Sequence, residues 1–233
     1  MHESERQRDR PAVIVTGSSG LLGTAVIRAL APRYQLVGFD RAGPPYPPLE
    51  AECVSVDLTD DGSLRRALQR VRHAYGERIA SVIHLAAYYD FSGEPNALYE
   101  TLTIRGTERL LRALQNFQVE QFQFSSTMLV HRPTPPGQPI HENIPLEGKW
   151  AYPQSKIAAE ERIHACRREL EDLYIRQLGL HWRYVDRVCE VRTTGRRGLY
   201  RMLFATDHEA GKKIAQWAKR HCAKDSGQIE MFS

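Results

Sequence analysis

Short apolar runs alternate along this chain with longer segments whose apolar residues recur at helical spacing, from residue 12 to about residue 171. Ala12-Val-Ile-Val-Thr16 is a β-branched run that stops at glycine and predicts a buried strand. The segment from Gly20 to Leu30 predicts a helix with Leu22, Val26, Ala29 and Leu30 on its apolar side. Strands follow at 35–39, ending at Asp40, at 53–56 and at 79–85, with a helix at about 63–75 between the last two. A long amphipathic helix is expected over 95–117, a fifth strand over 121–125 and a closing helix over about 152–173. Gly43-Pro-Pro-Tyr-Pro-Pro48 and the proline-rich stretch 132–145 can only be loops.

Strands that alternate with helices of this length imply right-handed βαβ units and a parallel sheet covered on both faces. The fold class expected is therefore α/β, a doubly wound (Rossmann) parallel sheet, with its ligand crevice at the carboxyl ends of the strands. Residues 1–10 read as a disordered arm, 11–171 as the dinucleotide-binding domain, and 172–233 as a small α+β module. In that module, 180–194 and 199–205 look strand-like around a Thr-Thr-Gly-Arg-Arg-Gly turn. Thr206-Asp-His-Glu209 has capping-box spacing and should open a helix to about His221, with Ala210, Ile214, Trp217 and Ala218 on one face.

Composition changes this picture little. A hydrophobic share of 42% suffices for a core, and no apolar stretch approaches the roughly 20 residues of a membrane span. No membrane partner is expected, and the polar N-terminus does not resemble a signal peptide. Cys53, Cys166, Cys189 and Cys222 are widely spaced and read as reduced thiols of a cytoplasmic protein, with no metal site assigned. The charge is uneven: 172–233 holds 12 Lys and Arg against 7 Asp and Glu, whereas the rest of the chain holds 20 against 21. The basic tail reads first as a solvated surface and second as a patch for a polyanion such as nucleic acid.

Three segments carry candidate chemistry. Thr16-Gly17-Ser18-Ser19-Gly20-Leu21-Leu22-Gly23 lies between the first strand and the first helix. Gly17, Gly20 and Gly23 have the spacing of a phosphate-binding turn, which needs glycine for the bend, for close approach of a diphosphate and for helix-on-strand packing. The helix that opens there directs unpaired amides at the phosphates. Asp40 ends the second strand 17 residues after Gly23, where a carboxylate accepts from both adenosine ribose hydroxyls and repels a 2′-phosphate; NAD is favoured over NADP. Asp57-Leu58 would flank the adenine or form a plain turn. Tyr152 and Lys156, four residues apart, share one helix face, so the ammonium should lower the phenol's pKa and hold the nicotinamide ribose. Thr127, 25 residues before Tyr152, would hydrogen-bond the reacting substrate oxygen.

On these residues, 12 to about 171 resemble the NAD-binding part of extended short-chain dehydrogenases/reductases, the NAD-dependent epimerase/dehydratase family. The resemblance rests on the glycine turn, Asp57-Leu58, His84-Leu85-Ala86-Ala87 and Arg105-Gly106-Thr107 with Leu110-Leu111. It rests further on Phe124-Ser-Ser-Thr127 with Val130, and on Trp150-Ala-Tyr152-Pro-Gln-Ser-Lys156. It implies a cofactor site formed by Gly17, Ser19, Gly20, Leu21, Leu22, Gly23, Asp40, Asp57, Leu58, Leu85, Ala86, Ala87, Tyr152 and Lys156. It implies catalysis by Thr127, Tyr152 and Lys156 on a nucleotide sugar or similar hydroxyl or carbonyl compound, and a homodimer is a further expectation.

Two departures stand out. Thr103 occupies the position where the family carries an asparagine, three residues before Gly106, and no Arg-Pro follows Lys156. The tail instead resembles, in Tyr200-Arg-Met-Leu-Phe-Ala-Thr206 and Gly211-Lys-Lys-Ile214, the C-terminal end of three-Cys-motif partner proteins. The leading expectation is an NAD-dependent epimerase, dehydratase or reductase. The alternatives are an NAD-binding remnant or fusion with a shallow pocket and little turnover, and a protein that meets nucleic acid through its tail.

Overall fold

The computed structural model describes residues 10–41, 46–90, 92–141, 144–192 and 198–222. Nearly all of the N-terminal arm, half of the first proline-rich loop and most of the arginine turn in the tail lie outside the described residues. The chain divides after Cys166 into two compact units.

The first unit is built on a parallel sheet. Its strands are β1 (Ala12–Thr16), β2 (Gln35–Asp40), β3 (Glu52–Ser55), β4 (Arg78–His84) and the short β5 (Gln118–Val119) and β6 (Phe122–Phe124). The order is β3-β2-β1-β4-β5, with β6 also pairing with β4. Every pairing is parallel. Helices α1 (Leu21–Leu30), α2 (Asp61–Tyr75) and α3 (Arg105–Leu114) connect the strands, and α4 (Ala151–Gly179) follows β6.

Side chains of β1 alternate between two cores, as a strand covered on both faces requires. Ala12 and Ile14 join Leu64, Leu68, Val71, Leu110 and Leu114 on the face of α2 and α3. Val13 and Val15 join Ile27 on the face of α1. This is the doubly wound arrangement. Register aligns the carboxyl edge: Phe39, Thr16, His84 and Phe124 lie side by side where β2, β1, β4 and β6 end.

Three local expectations need correction. The buried stripe of α1 is Gly23 and Ile27, with Leu22 and Ala29 exposed. Close approach at Gly23 turns the helix so that the small residue faces the sheet. The long helix expected over 95–117 is a π-helical stretch, Tyr99–Ile104, followed by α3. The strand expected over 121–125 is present as β6, and the short β5 before it is an addition to the expected elements. The closing helix runs on to Gly179.

The second unit, taken by itself, holds the antiparallel pair β7 (Tyr184–Arg192) and β8 (Gly198–Thr206) and helix α5 (Glu209–Cys222). Thr206 does not cap α5 as the spacing suggests, since its Oγ1 accepts from the His208 amide instead. Glu209 is engaged by the Tyr184 hydroxyl and Lys212. The face of α5 is also rotated from expectation: Ala215 is buried, while Ile214 and Trp217 are exposed. The reason lies one turn earlier, where a Cβ on Gly211 would come within 2.7 Å of Thr206 Oγ1. Gly211 and Ala215 are the small residues that let this helix sit close. Among the described residues no helix is long and apolar enough to cross a membrane. Neither Cys53 nor Cys166 is joined in a disulfide.

Candidate functional site

The glycine turn is closed by its own backbone. Gly17 donates to the Phe39 carbonyl at 2.9 Å and Gly20 to the Gly17 carbonyl at 3.2 Å. The three glycines are present for different reasons. Gly17 has φ +69°, a conformation L side chains avoid, and a Cβ there would lie 3.0 Å from the Ala86 nitrogen. At Gly23 a Cβ would fall 2.2 Å from the Gly17 carbonyl oxygen, so packing forbids it. Gly20 has an ordinary extended backbone, φ −73° and ψ 170°. A Cβ there meets nothing closer than 3.4 Å. The fold therefore demands glycine at 17 and 23 but not at 20.

Gly20 is also the N-cap of α1, and no side chain caps that helix. Its first-turn amides consequently face outward without intrahelical partners, beside the exposed Leu21 and Leu22. Asp40 reaches back to this turn: Oδ2 accepts from the Ser19 amide at 2.8 Å and Oδ1 from the Arg41 amide at 2.8 Å. Each carboxylate oxygen keeps a second lone pair for another donor. The Ser18 and Ser19 hydroxyls are sealed from solvent without partners among the described residues.

Beyond β3, Asp57 accepts from both the amide and the hydroxyl of Thr59, which hold its carboxyl below the usual range. Leu58 turns inward: its side chain is part of the core, packed where Gly106 leaves room for it. Of the Asp57-Leu58 pair, only Asp57 presents its side chain to solvent.

A chain of hydrogen bonds underlies the middle of the edge. Thr16 Oγ1 lies 2.7 Å from His84 Nδ1, and His84 Nε2 lies 2.9 Å from Thr107 Oγ1. Thr107 donates its proton to the Thr103 carbonyl at 2.6 Å. It must therefore accept from Nε2–H, which leaves Nδ1 to accept from Thr16. The oxygen of Thr16 in turn accepts from the Leu85 and Ala86 amides. His84 is fully buried, and burial, with the nearby Lys156 charge, pushes its pKa down to about 3. Thr103 is enclosed in the π-helical stretch, where its Oγ1 accepts from the Tyr88 amide at 2.9 Å. The network thus holds Leu85, Ala86 and Tyr88 just beyond the carboxyl ends of β1 and β4, and it spans residues that sequence reading does not connect.

Lys156 and Tyr152 stand at the same edge. Lys156 is only 2% exposed. Its Nζ donates to the Ser125 carbonyl at 2.9 Å and lies 4.7 Å from the Phe124 ring centroid. Burial lowers its pKa to about 8 against the opposing pull of Glu160. Nζ is 5.9 Å from the Tyr152 ring centroid. The phenol of Tyr152 is raised above its ordinary range, by burial first and then by Tyr89 and Tyr99. Expectation had it lowered; here the ammonium is turned onto Ser125, and burial outweighs it. Tyr89 stands edge-on to Tyr152 with centroids 4.6 Å apart. Thr127 caps the short 3-10 turn Met128–Val130, its Oγ1 accepting from the Leu129 amide at 3.3 Å.

Tyr99, the first residue of the π-helical stretch, is 5% exposed, and its hydroxyl has no partner among the described residues. An unpaired buried hydroxyl costs about 1–3 kcal/mol. Tyr99, Tyr89 and the Thr16–His84–Thr107 bridge are the elements of this edge that no short motif reveals.

The family profile of the NAD-dependent epimerase/dehydratase family matches residues 13–178. UDP-glucose 4-epimerase of Schizosaccharomyces pombe is 32% identical over 114 residues, which are 46% of this chain and 30% of that protein. Human 3 beta-hydroxysteroid dehydrogenase type 7 is 29% identical over 166 residues, 66% of this chain and 44% of that protein. The crystal structure of Thermus thermophilus UDP-glucose 4-epimerase in complex with NAD superposes with a TM-score of 0.60 at 27% identity, covering 66% of this chain and 50% of that one. The chain thus spans half or less of the length of these relatives. With the family profile matched over more than half of its residues, the chain belongs to the NAD-dependent epimerase/dehydratase family.

Proposed function

We propose that this protein binds NAD across the carboxyl edge of its sheet and carries out proton transfer coupled to hydride exchange on a hydroxyl or carbonyl substrate, a nucleotide sugar being the class favoured. The observation that carries the reading is convergence. A turn with one glycine that its own fold does not require stands at the same sheet edge as a buried lysine whose pKa lies near neutrality.

The diphosphate would rest on the uncapped amides of α1, with Gly20 giving it room. Asp40 would take the adenosine ribose hydroxyls on its remaining lone pairs, which favours NAD over NADP, and Asp57 would lie beside the adenine. Leu85, Ala86 and Ala87 would form the floor. When bound, NAD supplies the carbon that accepts or returns hydride. Thr127 would hold the substrate oxygen, and Tyr152 would take up or return its proton. Lys156 has one donor committed to Ser125 and two left for the phenol and the nicotinamide ribose. With its pKa at about 8, Lys156 can also hold or release a proton at Nζ under ordinary conditions.

The polar groups around the crevice favour a hydroxyl-rich substrate over a sterol. The Tyr88 hydroxyl meets Asp90 and Asn96, and Ser92 also bonds Asp90. The test is turnover of UDP-glucose and UDP-galactose by NAD-loaded protein, with Tyr152→Phe as the comparison. Tyr152→Phe should lower kcat by at least about 10²-fold while leaving NAD affinity within about threefold. Activity that survives the substitution nearly intact would remove Tyr152 from the mechanism.

A further inference from the structure

Lys156 stands where water offers its charge little help, since the residue is only 2% exposed. Ser125 supplies one acceptor, a backbone carbonyl 2.9 Å from Nζ. One neutral carbonyl does not replace a hydration shell. The other group against the ammonium is the Phe124 ring, with Nζ over it at 4.7 Å from the centroid. A cation within about 6 Å of an aromatic centroid is attracted by the negative face of the ring, and the attraction grows as water is excluded. Phe122 and Phe124 share one face of β6, and both rings are tilted against His84, with centroids 6.0 and 5.8 Å away. As packing the two rings are alike. Register pairs Phe124 with His84 at the end of β4, so it is Phe124 that reaches the carboxyl edge and meets Lys156.

We propose that Phe124 is a positioning residue for Lys156: its ring face, together with the Ser125 carbonyl, holds the buried ammonium in its charged form at the sheet edge. An aromatic face suits this task better than a carboxylate. It stabilises the charge without neutralising it and without drawing in the N–H groups, which stay free for the phenol and the nicotinamide ribose. The functional consequence rests on the reading of Lys156 as the residue that serves those two groups, because only the charged form lowers the phenol's pKa.

The charged and titratable groups around Nζ come from several elements. Glu160, one turn further along α4, favours the ammonium, and Tyr152 on the same helix has its ring centroid 5.9 Å from Nζ. His84 on β4 is neutral above about pH 3, and Tyr89, from the segment after β4, stands against the Tyr152 ring. Burial lowers the Lys156 pKa to about 8 against the pull of Glu160. The ring face acts on the side of Glu160. All of these groups remain when the Phe124 side chain is changed, so a substitution there isolates the ring.

The experiment is a ¹³Cε-lysine NMR titration of the full chain, which has six lysines, with the Lys156 signal assigned by its loss in Lys156→Arg. Phe124→Leu keeps an apolar side chain and removes the ring face. It should lower the Lys156 midpoint by about one pH unit, a tenfold smaller ratio of ammonium to amine at a given pH. Phe122→Leu, a change of the same size against the same histidine, should leave that midpoint where it is. Replacing Phe124 by 4-fluorophenylalanine and then by 3,4,5-trifluorophenylalanine weakens the ring face with little change in shape. The midpoint should fall in that order, and this series serves even where the leucine variant does not fold. A midpoint unmoved by both kinds of change, or moved as far by Phe122→Leu, would overturn the proposal. A fall with leucine but none along the fluorinated series would overturn it too, since packing would then hold the ammonium. Failure of the functional reading shows differently, as turnover that survives Tyr152→Phe or as absence of NAD binding, and neither enters a titration of the chain without cofactor.

Discussion

Substituting Gly20 by aspartate should separate what the turn does for the fold from what it does for a ligand. At this N-cap the backbone is extended, a Cβ meets nothing closer than 3.4 Å, and no side chain caps the helix. Aspartate is among the best N-cap residues, and its charge suits the positive end of a helix dipole. The folded state should gain a few tenths of a kcal/mol, so melting rises by about 1–2 °C at most for a chain of this size. Binding should move the other way. A carboxylate about 5 Å from one phosphate charge, at an effective dielectric near 20, opposes it by about 3 kcal/mol, roughly two orders of magnitude in Kd. Gly20→Asn caps equally well without the charge and should lose about tenfold. Gly23→Ala supplies the contrast: its Cβ would fall 2.2 Å from a carbonyl oxygen, and overpacking of that kind costs about 1–3 kcal/mol or more. Scanning calorimetry reads the fold, and titration calorimetry with NAD reads the site. An aspartate variant that binds NAD like the wild type, or one that melts many degrees lower, would refute the reasoning.

Asp40→Ala should narrow the preference for NAD over NADP, and it should weaken both because Ser19 loses its anchor; calorimetric Kd values for the two cofactors measure the ratio. His84 makes stability depend on acid. Its folded pKa of about 3 lies below the ordinary 6.5, so the unfolded chain binds the proton first. Stability from this group is complete above about pH 6.5 and falls by a few kcal/mol as pH drops toward 3. In urea unfolding, the stability gap between wild type and His84→Gln should shrink over that window, and a constant gap would show that His84 is not buried neutral.

Much of the first unit is legible in the sequence because its buried parallel strands are short apolar runs that end at glycine or aspartate. Ala12–Thr16 and Gln35–Asp40 show this directly. The central helix was less readable. Hydrophobic periodicity over 95–117 does not register a π-helical stretch, in which extra residues fit between hydrogen bonds without disturbing the apolar count. Leu22 and Ile27 are equally apolar, and only the steric demand at Gly23 decides which faces the sheet. Leu58 likewise reads as part of a surface motif until Gly106 opposite leaves a place for its side chain. In the candidate site, glycine spacing and the Tyr152–Lys156 pair are local and therefore visible. The bridge from Thr16 through His84 to Thr107 joins residues 68 and 23 positions apart, a distance at which sequence pattern carries no information.

Residues 85–90 have no regular secondary structure, yet three of their amides are bonded to threonine oxygens, Leu85 and Ala86 to Thr16 and Tyr88 to Thr103. Side chains do here what a neighbouring strand does elsewhere, and the segment is ordered without belonging to the sheet. Ordering a floppy loop at the moment of association would be charged against affinity. That entropy is settled when the chain folds, so a ligand arriving at this edge meets a surface whose shape is already chosen.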